Sequence, residues 1–338
     1  MMKQFSYRHT KEADLMKSME ETLDKQVNMS DEEKFSFAEF NEKEVERSGY
    51  SNYSYWRSTL QAFLKNRVAV ALLVMLVLLL LFTFIQPYLP NQYDPNLIIN
   101  DENGMQYRNV PPGDQFILGT NSIGQDLWAR IWSGTRTSLF IGLSVAIAEA
   151  LIGITVGVLW GYVRKLDFIL TEIYNIIDNI PNTIILILIS YILKPSVKTL
   201  IFAMCLTGWI QMARFIRNQI LIIRDRDYNV ASRCLGTPTS KIMVKNLLPY
   251  LVSVIMLRMA LTIPAAIGNE VFITYIGLGL PVDTPSLGNL INEGRALITS
   301  AALRYQLVYP TIILSFVTIS FYIIGNAFSD AADPKNHV

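Results

Sequence analysis

The chain has 338 residues, of which 51% are hydrophobic and only 17% charged, and its formal net charge is +1. That is too apolar for an ordinary soluble chain and carries no basic surplus for nucleic acid, so membrane lipid is the expected surrounding and nucleic acid is not an expected partner. Two cysteines, Cys205 and Cys234, lack metal-ligand spacing and read as free thiols; the only histidines, His9 and His337, stand at opposite termini, leaving little for a metal site or a catalytic triad, so a transport component is expected rather than an enzyme.

Residues 1–54 form a polar tail, with eight Lys/Arg and twelve Asp/Glu in the first fifty positions. A solvated tail is expected, a docking segment being the alternative. Over residues 55–67, Tyr55, Trp56, Leu60, Phe63 and Leu64 interleave with Arg57, Gln61, Lys65 and Arg67 at spacings that put the apolar side chains on one helical face, the pattern of an interfacial amphipathic helix. Val68–Ile85 holds no charge over a length that crosses a hydrocarbon core of roughly 30 Å. Five further spans are expected at about Ser138–Tyr162, Ile173–Leu193, Thr199–Ile216, Leu247–Asn269 and Leu307–Phe328, giving an all-α membrane protein with six transmembrane helices over 68–328 and a short tail at 329–338. Arg164 and Lys165 follow the second span, and Arg217, Arg224, Arg226, Arg233, Lys241 and Lys245 lie between the fourth and fifth, so the positive-inside rule places those loops and both termini in the cytoplasm. On the outer side, 118–139 and 277–295 are rich in turn formers; Gly277-Leu278-Gly279-Leu280-Pro281 cannot continue a regular helix and is placed at the mouth of a pathway.

The most informative stretch is Tyr228 to Pro238, continuing to Leu247-Leu248-Pro249, within an inner loop at 224–249. It reads as two short helices broken at Gly236, with Thr237 placed to cap the second and Pro238 in its first turn. Such a corner suits a groove in another protein; an amphipathic loop lying on lipid is the plainer alternative.

This stretch resembles the loop that importer-type ATP-binding-cassette permeases present to their ATPases, whose pattern is Glu-Ala-Ala, three residues, Gly, nine residues, Ile, one residue, Leu-Pro. Ala231, Gly236, Leu248 and Pro249 match, whereas Val230, Ser232 and Asn246 replace the Glu, the second Ala and the Ile. Other blocks are similar to the C-type permease of dipeptide, oligopeptide and nickel importers: Leu118-Gly119-Thr120-Asn121, Gly124-Gln125-Asp126 and Ser133 to Leu139 with Arg136; Glu270 followed by Thr274 to Gly279; Gly325-Asn326 and Asp330 to Lys335. The resemblance implies an importer-permease fold and a membrane subunit that pairs with a second homologous permease, sits on two cytoplasmic ATPases and receives oligopeptides or dipeptides from an extracellular substrate-binding protein. It places ATPase coupling on Ala231, Ser232, Arg233, Gly236, Thr237, Pro238, Lys241 and Pro249, and an outer-loop signature on Gly119, Asp126, Arg136, Gly277 and Gly279. No Gly-x-x-x-x-Gly-Lys-[Ser/Thr] run occurs in the chain, so ATP and magnesium are expected on the partner ATPases, with no cofactor bound here.

Three ionisable residues stand out in the apolar runs, where a charge costs roughly 3 kcal/mol on insertion scales. Glu149 and Arg258 are expected at similar depth, either paired or lining the route of the substrate; Asp178 precedes Pro181, which is placed to bend its helix. Glu270 is a fourth candidate for the pathway. Three readings stay open besides the peptide importer: a nickel importer of the same branch, an ion-coupled secondary transporter using Glu149, Asp178 or Glu270, and a membrane-anchored sensor working through its acidic tail.

Overall fold

The computed structural model describes residues 55–332. The polar tail 1–54 and residues 333–338, which include Asp333, Pro334 and Lys335 of the C-terminal block, lie outside the described residues. Apart from two isolated β-bridges, Asn100 with Gln106 and Thr120 with Asp126, the regular structure among the described residues is helical.

Helix α1 (Tyr55–Lys65) ends two residues short of the expected boundary because the Asn66 carboxamide caps the next helix, accepting from the Ala69 N–H at 3.2 Å. Arg67 therefore opens α2 (Arg67–Ile85). Phe63 is buried with Ala69, Ala327 and Ala331, its ring 6.0 Å from that of Phe328, whereas Leu60 and Leu64 point outward. A 3₁₀ turn (Gln86–Tyr88) and an irregular segment lead to α3 (Leu127–Tyr162), which at 36 residues is about 54 Å long. It starts well before the expected Ser138: Asp126 caps it, accepting from the Ala129 N–H at 2.9 Å, and Arg130, Thr135 and Ser138 are buried in protein, which a hydropathy reading cannot foresee.

The expected third span is not continuous. It is α4 (Arg164–Asp178) followed by α5 (Asn182–Ile192), bent by 73° across Asn179–Pro181. Pro181 has no N–H to give to the preceding turn, so the helix stops there and restarts at a new angle. Helix α6 (Val197–Ile223) follows, capped by Ser196; then α7 (Asp227–Cys234), α8 (Thr239–Ile242), a π-turn (Met243–Leu247) and α9 (Leu248–Tyr275). Part of the expected outer loop is a helix, α10 (Leu287–Arg295), capped by the Ser286 hydroxyl. The last helix, α11 (Tyr305–Ala332), runs past the expected end at Phe328. Among the described residues five helices are long and apolar enough to cross a membrane, α2, α3, α6, α9 and α11, and the bent α4–α5 pair makes a sixth if it counts as one span.

The centre of the bundle is α3 against α6. Gly153, Gly157 and Gly161 recur every fourth residue on one face of α3 and lie against Met212, Ala213 with Ile216, and Ile220 of α6. Small residues at this spacing let two backbones approach, which is how helices gain packing energy where lipid removes the hydrophobic drive. Met212, Ile216, Ile220 and Ile223 of α6 then share a core with Ile242, Leu247, Leu251 and Ile255. The α7–α8 corner is thereby built into the main helix pair.

Candidate functional site

The corner itself is a rigid elbow. Helix α7 closes in a Schellman arrangement: the Thr237 N–H bonds the Ser232 carbonyl and the Gly236 N–H bonds the Arg233 carbonyl, each at 3.0 Å, with Gly236 at φ +76°. Pro238, and not Thr237, occupies the cap position of α8, with no side-chain cap bond. Ala231, Arg233, Gly236, Pro238, Lys241 and Pro249 are exposed, Ser232 and Thr237 half-buried, and Leu235 projects with 86% of its surface exposed.

What fixes the elbow was not among the sequence candidates. Asn229 is fully buried; its amide donates to the Ile223 carbonyl at the end of α6 at 2.8 Å, and its carbonyl accepts from Asn246 at 3.2 Å. Asn246 also reaches the Ser232 hydroxyl at 3.4 Å, so two of the three departures from the family pattern touch each other. That mutual replacement was the available signal. Asp225 accepts from Arg224 at 3.0 Å and from Arg233 at 3.1 Å, tying α6 to α7. These two guanidinium groups hold the Asp225 carboxyl below the usual carboxylate range. A depressed pKa means this tie contributes above the ordinary carboxylate range and is lost only as pH falls through the lowered value; near neutral pH it does not titrate. Truncating Asn229 to Ala strands a buried carbonyl and the Asn246 amide, and we expect a loss of about 1–3 kcal/mol, read as a lower melting temperature of the purified protein in detergent.

A second group of residues lies along the spans. Glu149 of α3 and Arg258 of α9 line one cavity of about 180 Å³ together with Asn182, Gln211 and Asn269, where their charges act on each other without a hydrogen bond between them. Gly208 leaves the space that the Glu149 carboxylate occupies. Asn182, Gly208 and Gln211 also line an adjoining cavity of about 230 Å³ beneath the α4–α5 break, where Asp178 and Pro181 sit. Asp178 accepts from Tyr174 and Gln211 and pairs with Arg214 at 3.8 Å; Arg214 also donates to the Tyr174 hydroxyl and lies 4.4 Å over its ring. Arg214 was not singled out from the sequence although it falls inside the expected fourth span. Its signal is the spacing Thr207, Gln211, Arg214, one polar stripe on an apolar helix.

Glu270 stands apart from this track. It is fully buried at the start of α10, accepting from Ser286 at 2.7 Å, Thr274 at 3.3 Å, Ser138 at 3.1 Å and the Gly288 N–H. It joins α3, α9 and α10 and lines neither cavity above. At the same end, Gly277 (φ +82°) closes α9 through bonds from its own N–H to Thr274 and from the Leu278 N–H to Ile273, and Gly279 lies against Thr274. Gly277 and Gly279 border a cavity of about 380 Å³ with Pro281 and Asn289. Gly119 (φ +79°) packs under the Tyr305 ring, Arg136 donates to the Thr83 carbonyl, and burial pushes the Asp126 carboxyl up against the opposing effect of the Ala129 and Trp128 N–H groups. The fully buried Arg130 pairs with Glu293 at 3.0 Å, a tie between α3 and α10 that sequence alone could not reveal because it needs both helices in place.

Comparison with known proteins bears on this arrangement. Residues 153–338 match the family model "Binding-protein-dependent transport system inner membrane component", and residues 54–112 match "N-terminal TM domain of oligopeptide transport permease C". The oligopeptide transport system permease protein AmiD of Streptococcus pneumoniae is 38% identical over 91% of this chain and 98% of its own length. In Bacillus subtilis, the dipeptide transport system permease protein DppC is 32% identical over 94% of this chain and 97% of its own, and the oligopeptide transport system permease protein OppC is 32% identical over 89% and 96%. Among solved structures, a chain from the MetNI methionine ABC transporter is 21% identical, covers 60% of this chain and 96% of its own, and superposes with a TM-score of 0.48. The chain thus belongs to the family of binding-protein-dependent transport system inner membrane components, in its permease C branch, and is a multi-pass protein of the cell membrane.

Proposed function

We propose that this chain is the membrane-spanning subunit of an ATP-driven importer that takes oligopeptides or dipeptides from an extracellular binding protein, with the α7–α8 elbow seated in a cytoplasmic ATPase. The observation that carries the reading is the elbow: an exposed Leu235 at the tip of a corner whose base is locked to α6 by Asn229 and to the π-turn before α9 by Asn246. Moving a two-state protein from 1:99 to 99:1 takes about 5.5 kcal/mol, and a soft loop would dissipate such a bias before it reached the spans. Here a push at Leu235 is passed through Asn229 to Ile223 and through Leu247 into the shared α6–α9 core. ATP and magnesium act on the two partner ATPases, whose closing and opening favour one and then the other orientation of the pathway.

Sidedness follows from charge. Arg217, Arg224, Arg226, Arg233, Lys241 and Lys245 cluster at the elbow end, and the positive-inside rule supports a cytoplasmic elbow and cytoplasmic termini, with the Gly277–Pro281 mouth outside. A second homologous permease supplies the missing cover for the polar track: the Arg214 and Asp178 side chains are 50% and 35% exposed, and lipid cannot solvate them. Peptides are the cargo by analogy with the names of the relatives above, and the peptide route follows the Asp178–Glu149–Arg258 track.

The test is purification of the chain from its own membrane in mild detergent, followed by reconstitution. We expect two ATPase subunits and a second permease to co-purify, and labelled oligopeptide to enter proteoliposomes only with ATP on the elbow side and binding protein on the other. Uptake without ATP that collapses with the proton gradient would count for a secondary transporter instead.

A further inference from the structure

Glu149 and Arg258 have opposite charges, come from different helices and border one cavity, where they feel each other's charge but share no hydrogen bond. Gly208 makes room for the carboxylate where any larger residue would strike it, so its position is built into the α3–α6 contact. The polar remainder of the wall is three carboxamides, Asn182, Gln211 and Asn269, and Thr262, whose hydroxyl donates to the Arg258 carbonyl. At about 180 Å³ the space is smaller than the roughly 300–1,000 Å³ that encloses a whole small ligand, and suits one end of a chain. A carboxylate and a guanidinium that line one cavity together with amide groups match the chemistry of a peptide's ends. An α-ammonium group is satisfied by a carboxylate, a terminal carboxylate by the two-pronged guanidinium, and peptide N–H and C=O groups by carboxamides.

We propose that Glu149 and Arg258 form a subsite for the charged ends of a peptide in transit, taken one at a time, Glu149 receiving the free amino terminus and Arg258 the terminal carboxylate. The assignment rests on the peptide-importer reading above. It adds a selectivity inside the membrane that does not depend on the binding protein: free chain ends are eased across the low-dielectric midplane, where an unpaired charge is costly, and capped ends are not.

The experiment uses the complete importer in proteoliposomes, with one peptide in three forms: free at both ends, N-acetylated, and C-amidated. Each is supplied at a concentration measured to saturate the binding protein. The readout is the ratio of free to blocked uptake, which does not change with the amount of folded protein. Wild type is expected to move the free form about tenfold faster than either blocked form, a difference of about 1.4 kcal/mol. E149Q should bring the free-to-acetylated ratio to about one while leaving the amidated ratio intact, and R258Q should do the reverse. If R258Q does not fold, R258K keeps the charge without the fork and is expected to show a reduced, not abolished, C-terminal preference. Ratios that are near one in wild type, or that the variants leave unchanged while all three forms slow together, overturn the subsite and leave a structural role. Absence of any ATP-dependent peptide uptake by wild type overturns the importer reading and the subsite with it.

Discussion

Leucine in place of Gly236 is expected to cut ATP-driven uptake by roughly tenfold or more while leaving the chain folded and in the membrane. An L-residue held in the left-handed region costs about 1–2 kcal/mol, and Gly236 sits at φ +76°. No atom lies within 4 Å of where its Cβ would be, so the substitution makes no clash within the chain and the bundle should survive. The effect falls on the partner: the new side chain sits beside Leu235, on the surface proposed to enter the ATPase, and buried apolar anchors of that kind carry a disproportionate share of interface energy. Hydrolysis should therefore continue without transport. The check is a paired assay of ATP turnover and peptide uptake; Gly236→Asn, which tolerates the left-handed region better, should be milder. Equal loss of both activities together with loss of the protein from the membrane would instead indicate a folding defect.

Leucine in place of Gly157 is expected to prevent assembly of the bundle. A Cβ there would lie 2.5 Å from the Ala213 carbonyl oxygen and 2.7 Å from the Ile216 Cβ, positions held by the backbone of α6 and the base of a branched side chain, neither of which can swing away. Forced separation of two packed helices costs about 3 kcal/mol, with further loss along the Gly153 and Gly161 contacts that depend on the same approach. The measurement is the melting temperature and yield of monodisperse protein in detergent. Gly157→Ala should be intermediate, and Gly268→Ala, with nothing within 4 Å, should be unchanged. A Gly157→Leu protein that melts like wild type would show that α3 and α6 do not gain their stability from this seam.

The features that could be read from sequence are those that local chemistry decides. A charge-free run such as Val68–Ile85 has one physical outlet, Pro181 must interrupt a helix, and Gly236 followed by Thr-Pro must turn one. What escaped notice depends on partners far along the chain. Arg130 is charged, so a hydropathy reading starts α3 late; only Glu293, more than a hundred residues away, makes it suitable for burial. Asn246 reads in sequence as a departure from a family pattern, whereas in the fold it bonds Asn229 and Ser232. Glu270 stands near a glycine-rich mouth with no donor visible beside it in sequence, whereas three hydroxyls and a backbone N–H surround it in the fold. The placement of Glu149 and Arg258 beside one cavity was legible from their depths, but the lack of a hydrogen bond between them was not, since helix spacing sets it.

The proposal stands or falls on the side of the membrane that the elbow faces, and the chain carries its own reporter. Cys234 at the end of α7 is exposed, and Cys205 is the only other thiol in the sequence. In a Cys205→Ser background, a membrane-impermeant maleimide should label Cys234 in inside-out vesicles stripped of ATPases, leave it untouched in intact cells, and be blocked when the ATPases are added back. Labelling of Cys234 in intact cells would put the elbow outside, beyond the reach of any cytoplasmic ATPase, and would contradict the account.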